Sequence, residues 1–146
     1  MKLKIAWIGK TKDAAIQSLT DEYLKRLSRY AEVQGIALKD EAALLKLGAR
    51  DARHRHTLVL LDELGRQLSS QELAKFVGDH QDRKPLPLLF AVGGADGFSE
   101  QMRQSAVLVL SLGRMTLAHE LARVVLLEQL YRAFTILKGH PYHLGH

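Results

Sequence analysis

The sequence predicts an α/β domain: a mostly parallel sheet with helices packed on both faces. Short apolar runs of strand length alternate with segments whose apolar residues recur at helical spacing, which is the pattern of parallel strands joined by crossover helices. Two of the runs, Leu86–Val92 and Val107–Leu112, are almost unbroken, as expected of strands covered on both faces. Each then opens into a glycine-bearing loop, Gly93–Gly97 and Gly113–Ala118. Loops at the carboxyl ends of strands are where such sheets build ligand sites.

The elements follow in order. Lys2–Ile8 alternates apolar and polar residues at first, until Gly9 and Lys10 end the first strand. Ile16, Leu19, Tyr23, Leu27 and Tyr30 mark one stripe of a helix. Val33–Leu38 reads as a second strand with Gly35 inside it, and Leu44, Leu45 and Leu47 as a short helix weakened by Gly48. The basic run Arg50, Arg53, His54, Arg55, His56 is either a solvated helix end or an RNA-contacting patch. Thr57–Leu61 is the third strand, and Asp62–Gln67 is expected to turn the chain, with Gly65 as its flexible point.

Ser69-Ser70-Gln71-Glu72 forms a capping box, and Leu68 with Leu73 a hydrophobic staple, so a helix starts there. Leu73, Phe76 and Val77 supply its buried face, and Pro85 and Pro87 precede the fourth strand. Ser99 caps a short helix running to about Ala106, before the fifth strand. The last helix, His119 to Lys138, carries Ala122, Leu126, Leu127, Leu130, Ala133, Phe134 and Leu137 on one wide stripe. Leu121, Val124, Val125 and Ile136 extend its apolar surface almost right round. A helix this apolar needs cover on more than one face, so a homodimer is expected.

The 146 residues are expected to form one domain, 1–146, with no repeat or linker. With 47% hydrophobic and 25% charged residues, the composition is globular rather than disordered. The absence of cysteine excludes disulfides and thiolate zinc sites. No signal-peptide core or membrane-length apolar run occurs, so a cytoplasmic location and no membrane partner are expected. The net charge of +5 favours a polyanionic partner such as RNA.

The loops carry neither G-x-G-x-x-G nor G-x-x-x-x-G-K-[ST], and Asp96 would repel phosphate. They suit a ligand without a phosphate chain, held through backbone groups, with Leu61, Leu112, Met115 and Leu117 against a flat base such as adenine. No G-x-S-x-G elbow points to a hydrolase. In the tail, Gly139-His-Pro-Tyr-His-Leu-Gly-His146, Pro141 and Gly145 oppose the regular turn that a three-histidine metal site needs, so no metal is expected. The tail reads as a frayed terminus, or else as a place where Tyr142 and His143 stack on a base and exchange protons.

Four segments in order, Phe90–Ser99, Leu110–His119, Leu126–Phe134 and His140–His143, resemble the ribosomal RNA large subunit methyltransferase H family of the SPOUT class, and the likeness covers the whole chain. The resemblance implies S-adenosylmethionine as methyl donor, methylation at N3 of a pseudouridine in a 23S rRNA stem-loop within the large subunit or whole ribosome, a homodimer, and a C-terminal trefoil knot. Periodicity alone would never suggest the knot. The resemblance places cofactor contacts at Leu61, at Gly94, and at Gly113, Arg114, Met115, Thr116, Leu117 and Ala118. In the tail it points to Tyr142 for base stacking or orientation and His143 as proton acceptor. Arg132 would offset charge on the imide oxygens or contact phosphate, or else pair with Glu128 one turn earlier. The tail would complete the partner's site.

Three positions depart from the family pattern. Ala95 and Ala118 stand where proline is usual, and Leu144 stands where the family has Arg or Lys after Pro-Tyr-His. Arg132, Lys138 or Arg114 are candidates to replace that cation. Two further readings accompany the methyltransferase. One is a non-catalytic ribosome-binding factor that keeps the fold; the other is a flavodoxin-like nucleotide-binding domain.

Overall fold

A computed structural model describes residues 1–49, 55–83 and 86–144. Five strands, β1 (Lys2–Ile8), β2 (Glu32–Leu38), β3 (Thr57–Gln67), β4 (Leu88–Val92) and β5 (Leu108–Ser111), form one sheet in the order β2-β1-β4-β3-β5. Every pairing is parallel. Among the described residues, four helices connect them, α1 (Ala14–Leu27), α2 (Glu41–Ala49), α3 (Ser70–Arg83) and α4 (Glu100–Ser105), and α5 (His119–Lys138) follows the last strand. A 3₁₀ turn, Pro141–Leu144, ends the described chain.

The strand pleat divides the core in two. Leu3, Ile5, Val59, Leu88, Phe90 and Leu110 face a layer of α1, α3 and α5, whose Leu27, Val77, Leu126, Leu130 and Phe134 are buried against them. Ala6, Leu60, Leu89 and Ala91 face the opposite way, toward Leu44 of α2 and Met102 of α4. β4 is buried at all five positions, as its unbroken apolar run requires.

Local chemistry sets the boundaries. Ser69 and Glu72 exchange the two capping-box bonds, Glu72 N–H to Ser69 Oγ at 3.0 Å and Ser69 N–H to Glu72 Oε1 at 2.8 Å. Ser99 Oγ accepts from the Met102 amide at 3.1 Å and starts α4. Arg50, Asp51, Ala52, Arg53, His54 and Pro85 lie outside the described residues, so the expectations resting on the basic run and on Pro85 do too.

One expectation needs correction. Asp62–Gln67 does not turn the chain; it continues β3 alongside β5 after a register slip, Leu61 and Arg66 both pairing with Leu110. Residues 62–65 form the resulting bulge. Gly65 is there for close approach, because a Cβ on it would stand 2.5 Å from the Val109 carbonyl oxygen.

Candidate functional site

The bulge of β3 and the carboxyl ends of β4 and β5 enclose a cleft of about 300 Å³. It lies where the connections part, β3 leading to α3 on one face and β4 to α4 on the other. That divergence opens a crevice at the strand ends. Gly93, Gly94 and Gly97 supply one wall, the loop after β5 the other, and His119 and Ala122 of α5 close it. Gly97 and Gly113 adopt φ values of +69° and +140°, and a Cβ on either would meet nothing within 4 Å. The backbone is therefore bare toward the cleft, which suits recognition through amides and carbonyls.

The β3 bulge braces both walls. Asp62 accepts the Leu64 amide at 2.9 Å and pairs with Arg103 Nη1 at 3.3 Å, and the same Nη1 reaches the Phe98 carbonyl at 3.4 Å behind the glycine loop. Glu63 accepts from the Thr116 hydroxyl at 2.6 Å and ties down the β5 loop. Glu100 and Asp62 together hold the Arg103 guanidinium above its ordinary pKa. Asp62, Glu63 and Asp96 outnumber Arg103 in the lining, so the cleft favours a cation and disfavours phosphate. Leu61, Leu112 and Leu117 offer apolar surface to a flat ring. Bare glycine backbone, apolar flanks and acidic excess fit S-adenosylmethionine, whose sulfonium and ammonium are positive.

Leu61, Gly94, Gly113, Met115, Thr116 and Leu117 all line this cleft. Arg114 and Ala118 do not: Arg114 is exposed, and Ala118 is the N-cap of α5, its carbonyl accepting from the Ala122 amide. Met115 is 84% exposed at the mouth.

The tail residues gather elsewhere. Arg132 Nε and Nη2 donate to Glu128 Oε1 at 3.0 and 2.6 Å, and Tyr142 donates to the same oxygen at 3.3 Å. The Arg132 guanidinium lies 5.2 Å from the Tyr142 ring centre, and Tyr131 meets that ring edge-on at 4.7 Å. Burial, then the hydrogen bond with Tyr23 and the Glu128 charge, push the Tyr142 phenol well above its ordinary range. The ion pair with Glu128 raises the Arg132 pKa. The His143 side chain lies outside the described residues, as do Gly145 and His146. This cluster packs against α5 between Glu128 and Arg132, about 9–15 Å along the axis from Ala122 at 1.5 Å per residue. Within one chain, no described tail residue lines the cleft.

Asp62, Glu63 and Arg103 are not legible in the sequence as site residues, because their roles depend on the bulge. Sequence reasoning misses Arg123 as well. It is 1% exposed within the apolar stripe of α5, and only its place between Ala122 and Val124 hints at burial.

Comparison with known proteins shows the family and the fold. Residues 1–143 match the family described as "Predicted SPOUT methyltransferase". The ribosomal RNA large subunit methyltransferase H of Koribacter versatilis is 59% identical over 146 residues, covering all of both chains. That of Geotalea daltonii is 43% identical, covering 98% of this chain and 99% of the relative. Among solved structures, a probable methylase family protein from Haemophilus influenzae superposes with a TM-score of 0.57 at 13% identity, covering 97% of this chain and 68% of the other. The SpoU methyltransferase AviRb from Streptomyces viridochromogenes, solved with AdoMet, gives 0.52 at 14% identity, covering 90% and 57%. These two share the fold. With a family match over nearly its full length and a relative 59% identical from end to end, the chain belongs to the ribosomal RNA large subunit methyltransferase H family, within the SPOUT methyltransferases.

Proposed function

We propose that this protein methylates N3 of a pseudouridine in 23S rRNA, using S-adenosylmethionine, as a cytoplasmic homodimer acting on the large subunit or whole ribosome. The reading includes the trefoil knot that the resemblance implies, and no metal. The observation that carries it is the cleft between two glycine-hinged loops at the sheet's switch point, acidic and apolar in lining, in a chain whose relatives are named as large-subunit rRNA methyltransferases.

Gly94 and the backbone of 113–118 would hold the donor, with Leu61, Met115 and Leu117 beside its adenine. When bound, the donor supplies an already activated methyl group, so alignment of the acceptor gives much of the rate enhancement. The chain's own task is to orient the base and remove the N3 proton. Tyr142, its phenol kept protonated, suits stacking and orientation rather than proton removal. His143 is the proton acceptor in this reading. Arg132 presents Nη1 beyond its bond to Glu128, toward imide oxygens or phosphate.

A tail that stands away from its own cleft supports a composite site, in which one subunit's tail meets its partner's cleft. The α5 face carrying Leu121 and Val125 continues at helical spacing to Glu128 and Arg132, so a partner covering the apolar part also meets the tail.

Transfer of tritium from labelled donor to large subunits lacking this methyl group, with nucleoside analysis of the product, tests the reading. N3-methylpseudouridine is the expected product. Leu144, 73% exposed where the family carries a cation, favours the second reading, a ribosome-binding factor without transfer activity. Donor binding without transferred label would establish that alternative.

A further inference from the structure

Arg123 is buried in the layer between α5 and the sheet, and no carboxylate lies within ion-pair distance of it among the described residues. Its Nη1 donates to the Thr11 hydroxyl at 2.8 Å and the Thr20 hydroxyl at 3.3 Å, and its guanidinium lies 4.3 Å from the Trp7 ring centre. One turn earlier, Glu120 Oε1 accepts the backbone amides of Lys12 at 3.0 Å and Asp13 at 3.4 Å. The start of α5 thus grips the loop between β1 and α1 at three successive residues. Burying a charge without a carboxylate partner is costly, and what it secures here is a fixed backbone.

That backbone carries Lys10 and Lys12, both exposed and neither paired with a carboxylate among the described residues. The carboxylates beside them are engaged elsewhere: Glu120 on the loop amides, and Asp13 on the Ala15 and Ile16 amides at the start of α1. No residue of the loop lines the cleft itself, but both of its anchors adjoin lining residues. Ile8, which leads into it, lies about 4 Å from the Cβ position of Gly94, and Glu120 adjoins His119 in the cleft wall. Two exposed lysines therefore stand on an anchored loop next to a cleft whose own lining is acidic.

We propose that Lys10 and Lys12 form a preorganised phosphate-binding edge that holds the RNA strand flanking the target nucleotide; this rests on the rRNA methylation reading above. The acidic cleft takes the cationic donor and excludes phosphate, and the basic loop takes the polyanion, so the two ligands are sorted by charge over a short distance. The loop supplies fixed positive charge in a chain whose tail carries Leu144. Because its backbone is already ordered, binding would immobilise only the two side chains.

The test compares wild type with Lys10→Ala/Lys12→Ala, Lys10→Arg/Lys12→Arg and the distant pair Lys25→Ala/Lys75→Ala. Measurements are transfer to large subunits lacking the methyl group, affinity for 23S rRNA against salt, and calorimetric binding of S-adenosylhomocysteine. The loop alanine pair is expected to raise KM for subunits about tenfold, keep kcat within a factor of two, and leave the calorimetric Kd unchanged. Its salt slope should fall by about 1.4, at roughly 0.7 for each single-strand phosphate no longer neutralised. The arginine pair should retain wild-type values, and the distant pair should change neither KM nor the slope. Unchanged KM and slope in the loop alanine pair, or equal losses in the distant pair, would overturn the proposal. If wild type transfers no methyl group, the methylation reading fails separately. RNA affinity and its salt slope then decide for or against the loop.

Discussion

At the residue scale, Tyr142 shows how a small cluster fixes a protonation state. Its phenol, ordinarily near pH 10, is driven upward by burial, by Tyr23 and by the Glu128 charge, with Arg132 opposing. The folded chain therefore keeps this proton to higher pH than the unfolded chain does. The stability it contributes is complete below about pH 10 and is lost as pH rises toward the folded value. Urea unfolding at pH 8 and pH 10.5 should show an alkaline loss in wild type, with a slope of at most about 1.4 kcal/mol per pH unit from this group. Tyr142→Phe should cost about 0.5–1.5 kcal/mol at pH 8 through the missing bond to Glu128, and should show a smaller alkaline loss. An alkaline loss of equal size in the variant would show that Tyr142 is not its source. Glu128 is the common acceptor of this cluster, and Glu128→Ala frees both Arg132 and Tyr142. Transfer should fall at least tenfold in that variant while S-adenosylhomocysteine binding, measured calorimetrically, stays intact, because Glu128, Arg132 and Tyr142 are not among the residues lining the cleft.

At the element scale, the β3 bulge links the sheet to the cleft. A Cβ on Gly65 would stand 2.5 Å from Val109 O and 2.7 Å from its carbonyl carbon, so the backbone of β3 or β5 must move. Gly65→Ala should destabilise by roughly 1–3 kcal/mol, as overpacking does. Calorimetry should register roughly 2–4 °C of Tm for each kcal/mol. Donor affinity should fall as well, because Asp62 and Glu63 ride on the same bulge and brace both walls. This bulge also marks the boundary of what the sequence discloses. The capping box at Ser69 and Glu72 is legible because both partners sit within three residues, and α5 because its stripe is long and ends at Gly139 in a left-handed cap. The two cleft loops are legible because glycines follow apolar strands. The bulge is not, since its register against β5 is fixed by a strand more than forty residues away. Arg123 is hidden for the same reason, its partners Thr11 and Thr20 lying 112 and 103 residues distant.

At the scale of the whole molecule, α5 presents two apolar faces and the single chain covers one. Leu126, Leu127, Leu130 and Phe134 are buried against the sheet layer, whereas Leu121 and Val125, one turn apart, stay 52% and 37% exposed. Leu117 continues that line into the cleft loop, and Val125 borders a second hollow with Leu68, Leu112 and Gln129. A two-fold interface uses the same patch on both chains, so each apolar contact counts twice and each misplaced charge does too. Full burial of one such side chain contributes roughly 1.5–3 kcal/mol, and an unpaired buried lysine reverses that gain with a desolvation cost. Sedimentation equilibrium should find the wild-type chain dimeric at micromolar concentration. Leu121→Lys/Val125→Lys should sediment as a monomer with unchanged far-ultraviolet circular dichroism, since both positions are already exposed in the single chain. Transfer should be lost with the dimer, because the tail cluster on the same face of α5 would no longer reach a second cleft. Full transfer activity from a monomeric variant would refute the composite site, and a wild-type chain that sediments as a monomer would remove the dimer itself.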